Sequence, residues 1–173
     1  MQGTINRLTA AGNKNQILKQ HIAYLRGMLK VGILGGGQLG RMLLQAAANY
    51  PVETHVLEND DDCPAAHLCH HFSKGNIRDF DAVYNFGNGL DAITIEIENV
   101  NIDALEKLEE EGIKVYPRPS VLRIIQNKVL QKQYYSEHQI PTAAFAIINS
   151  KNEIAQSFHL LPAVQKLHRL KHR

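Results

Sequence analysis

The sequence predicts an α/β protein in which helices cover a parallel sheet, and three observations predict it. Short apolar runs alternate with stretches of helical periodicity between residues 29 and 116. A glycine-rich turn joins the first apolar run to the first helical stretch. Hydrophobic residues form 44% of the 173-residue chain, enough for a packed core, and the 21% charged residues match an ordinary folded domain. Such alternation calls for right-handed crossovers between parallel strands.

Taken in order, residues 1–27 are polar, with only weak helical spacing through Ile17, Ile22 and Leu25, and read as an extension. Met28 stands directly before the first strong strand, so folding is expected to begin there. The periodicity predicts a strand over 30–34, a helix over 39–49 and a strand over 52–57. A second round follows, with a helix near 79–86, a strand over 92–97, a helix over 101–111 and a strand over 113–116. Gly112 stops the acidic helix, and Pro117 and Pro119 close the last strand. Beyond Pro119 the pattern turns helical, with Ser120 as N-cap and Val121, Ile124, Ile125 and Val129 on one side. Strands over 143–148 and 163–167, separated by a helix over 151–160, complete the expectation. Residues 28–120 thus read as one domain and 121–173 as the start of a second, whose elements are too few for a core.

Gly35, Gly36, Gly37, Gln38, Leu39 and Gly40 satisfy G-x-G-x-x-G at a strand-to-helix junction. Glycine there permits a tight turn and lets a ligand reach backbone N–H groups at a helix N-terminus, which favours anions. One reading is a dinucleotide site, with Glu58 at the end of the second strand taking the ribose hydroxyls of NAD. The other is a tight turn of a Rossmann-like sheet with no dinucleotide. Gln38 can bond a ligand through its amide, and Arg41 is either a ligand contact or a solvated helix charge.

In the run Ile93-Thr94-Ile95-Glu96-Ile97-Glu98 the isoleucines alternate with polar residues, so both carboxylates of a continuous strand share a face, roughly 7 Å apart. Buried parallel strands are apolar on both faces, and open α/β sheets bind ligands at the C-terminal ends of their strands. The pair therefore marks either a ligand-holding carboxylate beside the glycine turn or an exposed edge strand. Cys63, His67, Cys69, His70 and His71 crowd one segment, but they lack the paired C-x-x-C ends of a zinc module and are expected on a surface helix and its following strand.

The net charge of +2, from 19 basic and 17 acidic residues, leaves no footprint for nucleic acid. No apolar stretch approaches the roughly 20 residues needed to cross a bilayer, so no membrane partner is expected. Two cysteines without a signal-peptide pattern point to the cytoplasm.

Together, GGGQLGRML, CPAAHLCHHF, ITIEIENV and EEEGIKVYPRPSVLRIIQNKVLQKQYYSEHQIPTAAF resemble the N-terminal part of the PurK family over residues 28–168. These are the 5-(carboxyamino)imidazole ribonucleotide synthases, the ATPase subunit of phosphoribosylaminoimidazole carboxylase. The resemblance implies a Rossmann-like domain followed by an ATP-grasp segment of a purine-biosynthetic ligase. Such a ligase uses ATP and Mg²⁺ to activate bicarbonate as carboxyphosphate and carboxylates the amine of aminoimidazole ribonucleotide, releasing ADP and phosphate. It implies that the glycine turn serves the ribonucleotide and not NAD. By position, Gly37, Gln38 and Leu39 match turn residues that contact substrate, Glu96 matches the carboxylate that holds it, and Glu98 supports that site. Lys128 and Lys166 match the two basic positions that approach the ATP phosphates, a role suited to a compact ammonium. Full-length members act as dimers.

The family continues with a glycine-rich lid, an adenine pocket, the acidic Mg²⁺ ligands and a C-terminal domain, whereas HRLKHR stands where the lid would begin. The ATP-grasp segment is accordingly expected to be incomplete, through a premature stop or frameshift after about Arg169. The isolated chain is expected to hold no catalytic residue or metal ligand of its own and to be inactive. The competing expectations are an NAD-binding oxidoreductase or sensor domain, and a remnant that is protease-sensitive after Pro119.

Overall fold

The computed structural model describes residues 27–164 and 166. Five parallel strands, β1 (Leu29–Leu34), β2 (Val52–Glu58), β3 (His71–Lys74), β4 (Ala92–Ile95) and β5 (Lys114–Tyr116), form one sheet in the order β3-β2-β1-β4-β5. Helices α1 (Gln38–Ala47), α2 (Phe80–Gly87) and α3 (Ile102–Glu110) make the crossovers, and α4 (Pro119–Gln126) and α5 (Lys128–Glu137) follow. The order reverses at β1, which pairs β2 on one side and β4 on the other, Leu34 facing Leu57 and Ile95. In a doubly wound sheet that reversal opens a crevice beyond the strands' C-terminal ends.

Strand alternation divides the core in two. Ile33 and Val56 face one side, where Leu44 of α1 and the turn residues Cys63 and Ala65 cover them. Leu34, Leu57 and Ile93 face the other, against Val83 of α2, Leu105 and Leu108 of α3 and Leu122 of α4. Burial on both faces explains why these strands read as continuous apolar runs. Asp79 caps α2 by accepting the Ala82 N–H at 2.8 Å, and Asn101 caps α3 through the Ala104 N–H at 2.9 Å. Gly112, at φ +97°, ends α3 in the left-handed conformation that glycine adopts without strain. Arg123 of α4 reaches back to α3, where its Nε donates to Glu106 Oε1 at 2.5 Å and its Nη2 donates to Glu106 Oε2 and, at 2.6 Å, to Asp103 Oδ1.

Several expectations need correction. β4 ends at Ile95, so Glu96 and Glu98 lie on the loop after it and do not share a strand face. β4 is also an interior strand, between β1 and β5, which removes the edge-strand reading of its charges. The helix after Pro119 is two helices: Pro119 lies inside the first turn, Arg118 and not Ser120 is the N-cap, and Asn127 breaks the run. Asn127 then caps α5, its side chain accepting from Val129 and Leu130 N–H groups. Residues 143–148 form no strand, because a strand needs a hydrogen-bonded neighbour and the described residues offer none. Helix α6 (Lys151–Gln156) is shorter than expected and passes into a 3₁₀ turn (Phe158–Leu160). The segment 64–70 is a series of turns and bends instead of a helix. The described part of the expected strand at 163–167 is not extended into a ladder. The basic tail 168–173 and residues 1–26 of the expected extension lie outside the described residues.

Candidate functional site

The glycine loop leaves the C-terminal end of β1 at the crevice. Gly35 donates its N–H to the Leu57 carbonyl at 3.0 Å, which keeps the chain in the sheet for one residue past β1. Its φ of +109° then turns the chain toward α1. A Cβ on Gly35 would sit 2.7 Å from Glu96 Oε2, so glycine is required by both conformation and space. At Gly40 a Cβ would come within 2.8 Å of the Gly35 carbonyl oxygen, so the helix can approach the loop only without a side chain there.

Two carboxylates occupy this loop. Glu96, held by its own N–H to the Leu34 carbonyl at 2.9 Å, accepts the Gly37 N–H on Oε2 at 2.7 Å. Gly37 is the N-cap of α1 and has no side chain to cap with, so a carboxylate from β4's far end answers an N–H at the positive end of the helix. Glu58 accepts the Gly36 N–H on Oε2 at 3.1 Å and the Asn59 N–H on Oε1 at 2.6 Å. Cys63 is buried beneath Gly36.

This arrangement bears on the two readings of the glycine turn. The N–H groups of Gly36 and Gly37 that would cradle a dinucleotide's pyrophosphate already bond carboxylates. An anion there would have to displace two negative charges, and Glu58 already accepts one backbone N–H of the loop on each oxygen. What the loop offers instead is the second oxygen of Glu96, Oε1, which accepts no hydrogen bond among the described residues and suits a donor such as an amine.

The structure brings Gly37, Gln38, Leu39 and Glu96 together at this end of the sheet, with Gln38 and Leu39 exposed on the first turn of α1. Arg41 is likewise exposed on that helix. A cleft of about 330 Å³ opens beside the loop, lined by Glu58, Asn59, Asn76, Arg78, Ile97 and Asn99 along with Ile77. Sequence reasoning missed Asn76, Arg78 and Asn99 as cleft residues; the K-G-N-I-R run at the end of β3 was the signal for the first two, and Asn99 stood in the ITIEIENV run directly after Glu98. A larger open groove of about 580 Å³ between α5 and residues 139–145 takes no residue from the sheet or the glycine loop.

The other candidates lie elsewhere. Glu98 is exposed, and its carbonyl accepts from Gln126 Nε2 at 2.6 Å, tying the end of α4 to this loop. Lys128 Nζ donates to the Ile125 carbonyl at 3.0 Å across the α4–α5 junction, and Lys166 is exposed. The histidine and cysteine cluster disperses: Cys63 enters the core, Cys69 Sγ donates to the Ala66 carbonyl, His70 Nδ1 meets Thr54, and His67 is exposed. Burial pushes the Cys69 thiol up in pKa. Among the described residues, His71 alone of these five joins a potential ligand group, and its partners are Glu53 and His55 of β2.

Comparison with known proteins places the fold in one family. The family model described as ribonucleotide synthetase preATP-grasp domain matches residues 28–126. A chloroplastic phosphoribosylaminoimidazole carboxylase of Vigna aconitifolia is 41% identical over 119 residues, covering 69% of this chain and 21% of that protein. An N5-carboxyaminoimidazole ribonucleotide synthase of Brucella melitensis is 38% identical over 124 residues, covering 72% of this chain and 34% of that protein. Among solved structures, an N5-carboxyaminoimidazole synthase of Aspergillus clavatus in complex with ADP and 5-aminoimidazole ribonucleotide superposes with a TM-score of 0.69 at 35% identity. That match covers 78% of this chain and 36% of the other. The chain therefore spans about a fifth to a third of the length of these relatives. No helix of the described residues is long and apolar enough to cross a membrane.

Proposed function

The chain belongs to the ribonucleotide synthetase pre-ATP-grasp domain family, and from that premise we propose that residues 28–120 form the ribonucleotide-binding half of an ATP-dependent ligase. Its reaction is the carboxylation of 5-aminoimidazole ribonucleotide by bicarbonate to N5-carboxyaminoimidazole ribonucleotide, in purine biosynthesis. One observation carries the reading. Glu96 is fixed by the Gly37 N–H through one oxygen at 2.7 Å and keeps the other for a donor at the mouth of the crevice. A carboxylate so placed holds the substrate's exocyclic amine and draws on its N–H as the nitrogen attacks an activated carboxyl carbon. Gln38 and Leu39 line the approach, and Arg78 in the adjoining cleft offers a bidentate cation for the ribose phosphate.

ATP supplies the activating phosphoryl group in this reading, with Lys128 and Lys166, from the start of the second domain at 121–173, as its phosphate contacts. Mg²⁺ takes carboxylate and water oxygens in near-octahedral geometry. The one three-residue ligand group among the described residues has two imidazoles and one carboxylate, which does not fit that ion. No step is therefore assigned to Mg²⁺ on these residues. The reading also carries a cytoplasmic setting and the dimeric assembly of the family.

The test is a graft: residues 28–126 replace the matching segment of the Brucella melitensis synthase, and phosphate release is followed with ATP, bicarbonate and aminoimidazole ribonucleotide. Release that requires all three, and that Glu96→Ala abolishes, supports the proposal. A folded chimera that releases phosphate equally well with Glu96→Ala would refute the role of this site.

A further inference from the structure

A second site lies on the same sheet, far from the glycine loop and independent of the ribonucleotide reading. Glu53, His55 and Leu57 alternate along β2 and so share a face, and His55 stands in register with His71 on the edge strand β3. The two imidazole rings stack, with centroids 4.5 Å apart. Both Nε2 atoms converge on one oxygen, Glu53 Oε1, at 3.0 Å from His55 and 3.1 Å from His71. All three donor atoms lie within 4.8 Å of one another. Glu53 sits roughly 16 Å along the strand from Glu58, so the cluster does not belong to the crevice.

From this convergence we infer that Glu53, His55 and His71 bind a divalent ion of the zinc class, with a solvent-facing fourth position. Zinc holds imidazole nitrogen at about 2.0–2.1 Å and carboxylate oxygen at about 2.0–2.2 Å, which places tetrahedral ligand atoms about 3.3 Å apart. The observed nitrogen-to-oxygen separations are already close to that edge, so small side-chain rotations admit the ion. Each imidazole meets the carboxylate through Nε2–H, and binding moves that proton to Nδ1 and frees the Nε2 lone pair. The donor set of two nitrogens and one oxygen selects zinc, nickel or copper over magnesium and calcium. His71 is 58% exposed and Glu53 28%, so solvent reaches the open position. An ion bridging β2 and β3 would clamp the sheet's edge strand, a structural role.

The test is a zinc titration of the 173-residue chain by calorimetry in a non-chelating buffer, alongside His71→Ala, Glu53→Gln and Cys69→Ser. One equivalent of zinc is expected on the parent and on Cys69→Ser, with at least about tenfold weaker affinity in the other two variants. Far-UV circular dichroism verifies that each variant is folded, and His71, on the exposed edge, can be replaced without opening the core. Cobalt substitution provides a second reading: visible ligand-field bands without a thiolate charge-transfer band are expected. Absence of zinc binding, zinc binding unchanged in His71→Ala, or loss of it in Cys69→Ser would each overturn the inference.

Discussion

Gly37→Ala isolates the contact on which the crevice depends. Gly37 has φ −73°, a conformation any residue adopts, so the substitution adds no backbone strain. A Cβ there would run into Glu96: Oε1 is the nearest atom, with Cδ at 3.2 Å and Oε2 at 3.3 Å. The carboxylate must swing away, which breaks its bond to the Gly37 N–H. A charge-assisted hydrogen bond contributes about 1.5–3 kcal/mol and overpacking costs about 1–3 kcal/mol. Glu96 is only half-buried and can move into solvent, which brings the total just below the low end of that sum, to about 2 kcal/mol. At about 2–4 °C per kcal/mol for a chain of this size, the melting midpoint drops by about 4–8 °C. Urea unfolding of Gly37→Ala, Glu96→Ala and the double variant measures the coupling. With Glu96 truncated, the added methyl group meets no carboxylate, so the double variant should recover at least about 1 kcal/mol relative to the sum of the singles. Effects that add to within about 0.5 kcal/mol would refute the argument that these residues touch.

The remaining expectations concern neighbouring contacts. Gly35→Ala should destabilise by at least about 1–2 kcal/mol in the same assay, because it combines positive φ with the approach to Glu96. Arg78→Ala should weaken aminoimidazole ribonucleotide binding about tenfold in calorimetry, the loss of one charge-assisted contact, and leave the dephosphorylated riboside unaffected. Arg123→Ala should lower stability by about 1 kcal/mol, since the guanidinium is partly exposed, and by less in 1 M salt when measured by urea unfolding. The Cys69 thiol, raised in pKa by burial, should react with a disulfide reagent near neutral pH more slowly than the same cysteine in the urea-unfolded chain.

Periodicity and punctuation made most of the sheet legible. Ile33-Leu34, Val56-Leu57 and Ile93 lie in strands buried on both faces, and Gly35, Asp79, Asn101 and Gly112 mark where elements turn. The pairing of the glycine turn with the Glu96 run was equally visible, because two polar features flank apolar strands at the ends where such sheets bind ligands. Nothing local reveals that Glu96 and Glu58 reach into the loop, since those contacts join residues 59 and 22 positions apart. Without them the turn reads as well for a dinucleotide. Local pattern also misled at 143–148, where β-branched and aromatic residues have strand propensity but no described neighbour completes a ladder. The histidines illustrate the same limit: sequence crowding groups His71 with His67 and His70, while strand register sets it beside His55, with Glu53 two residues back along β2.

The most direct measurement of the central claim is calorimetric titration of the chain with aminoimidazole ribonucleotide and, separately, with NAD, using the parent and Glu96→Gln. A glycine loop occupied by carboxylates predicts saturable binding of the amine-bearing ribonucleotide, weakened at least about tenfold in Glu96→Gln, and no binding of NAD. Saturable NAD binding, or ribonucleotide binding of equal strength in Glu96→Gln, would contradict it.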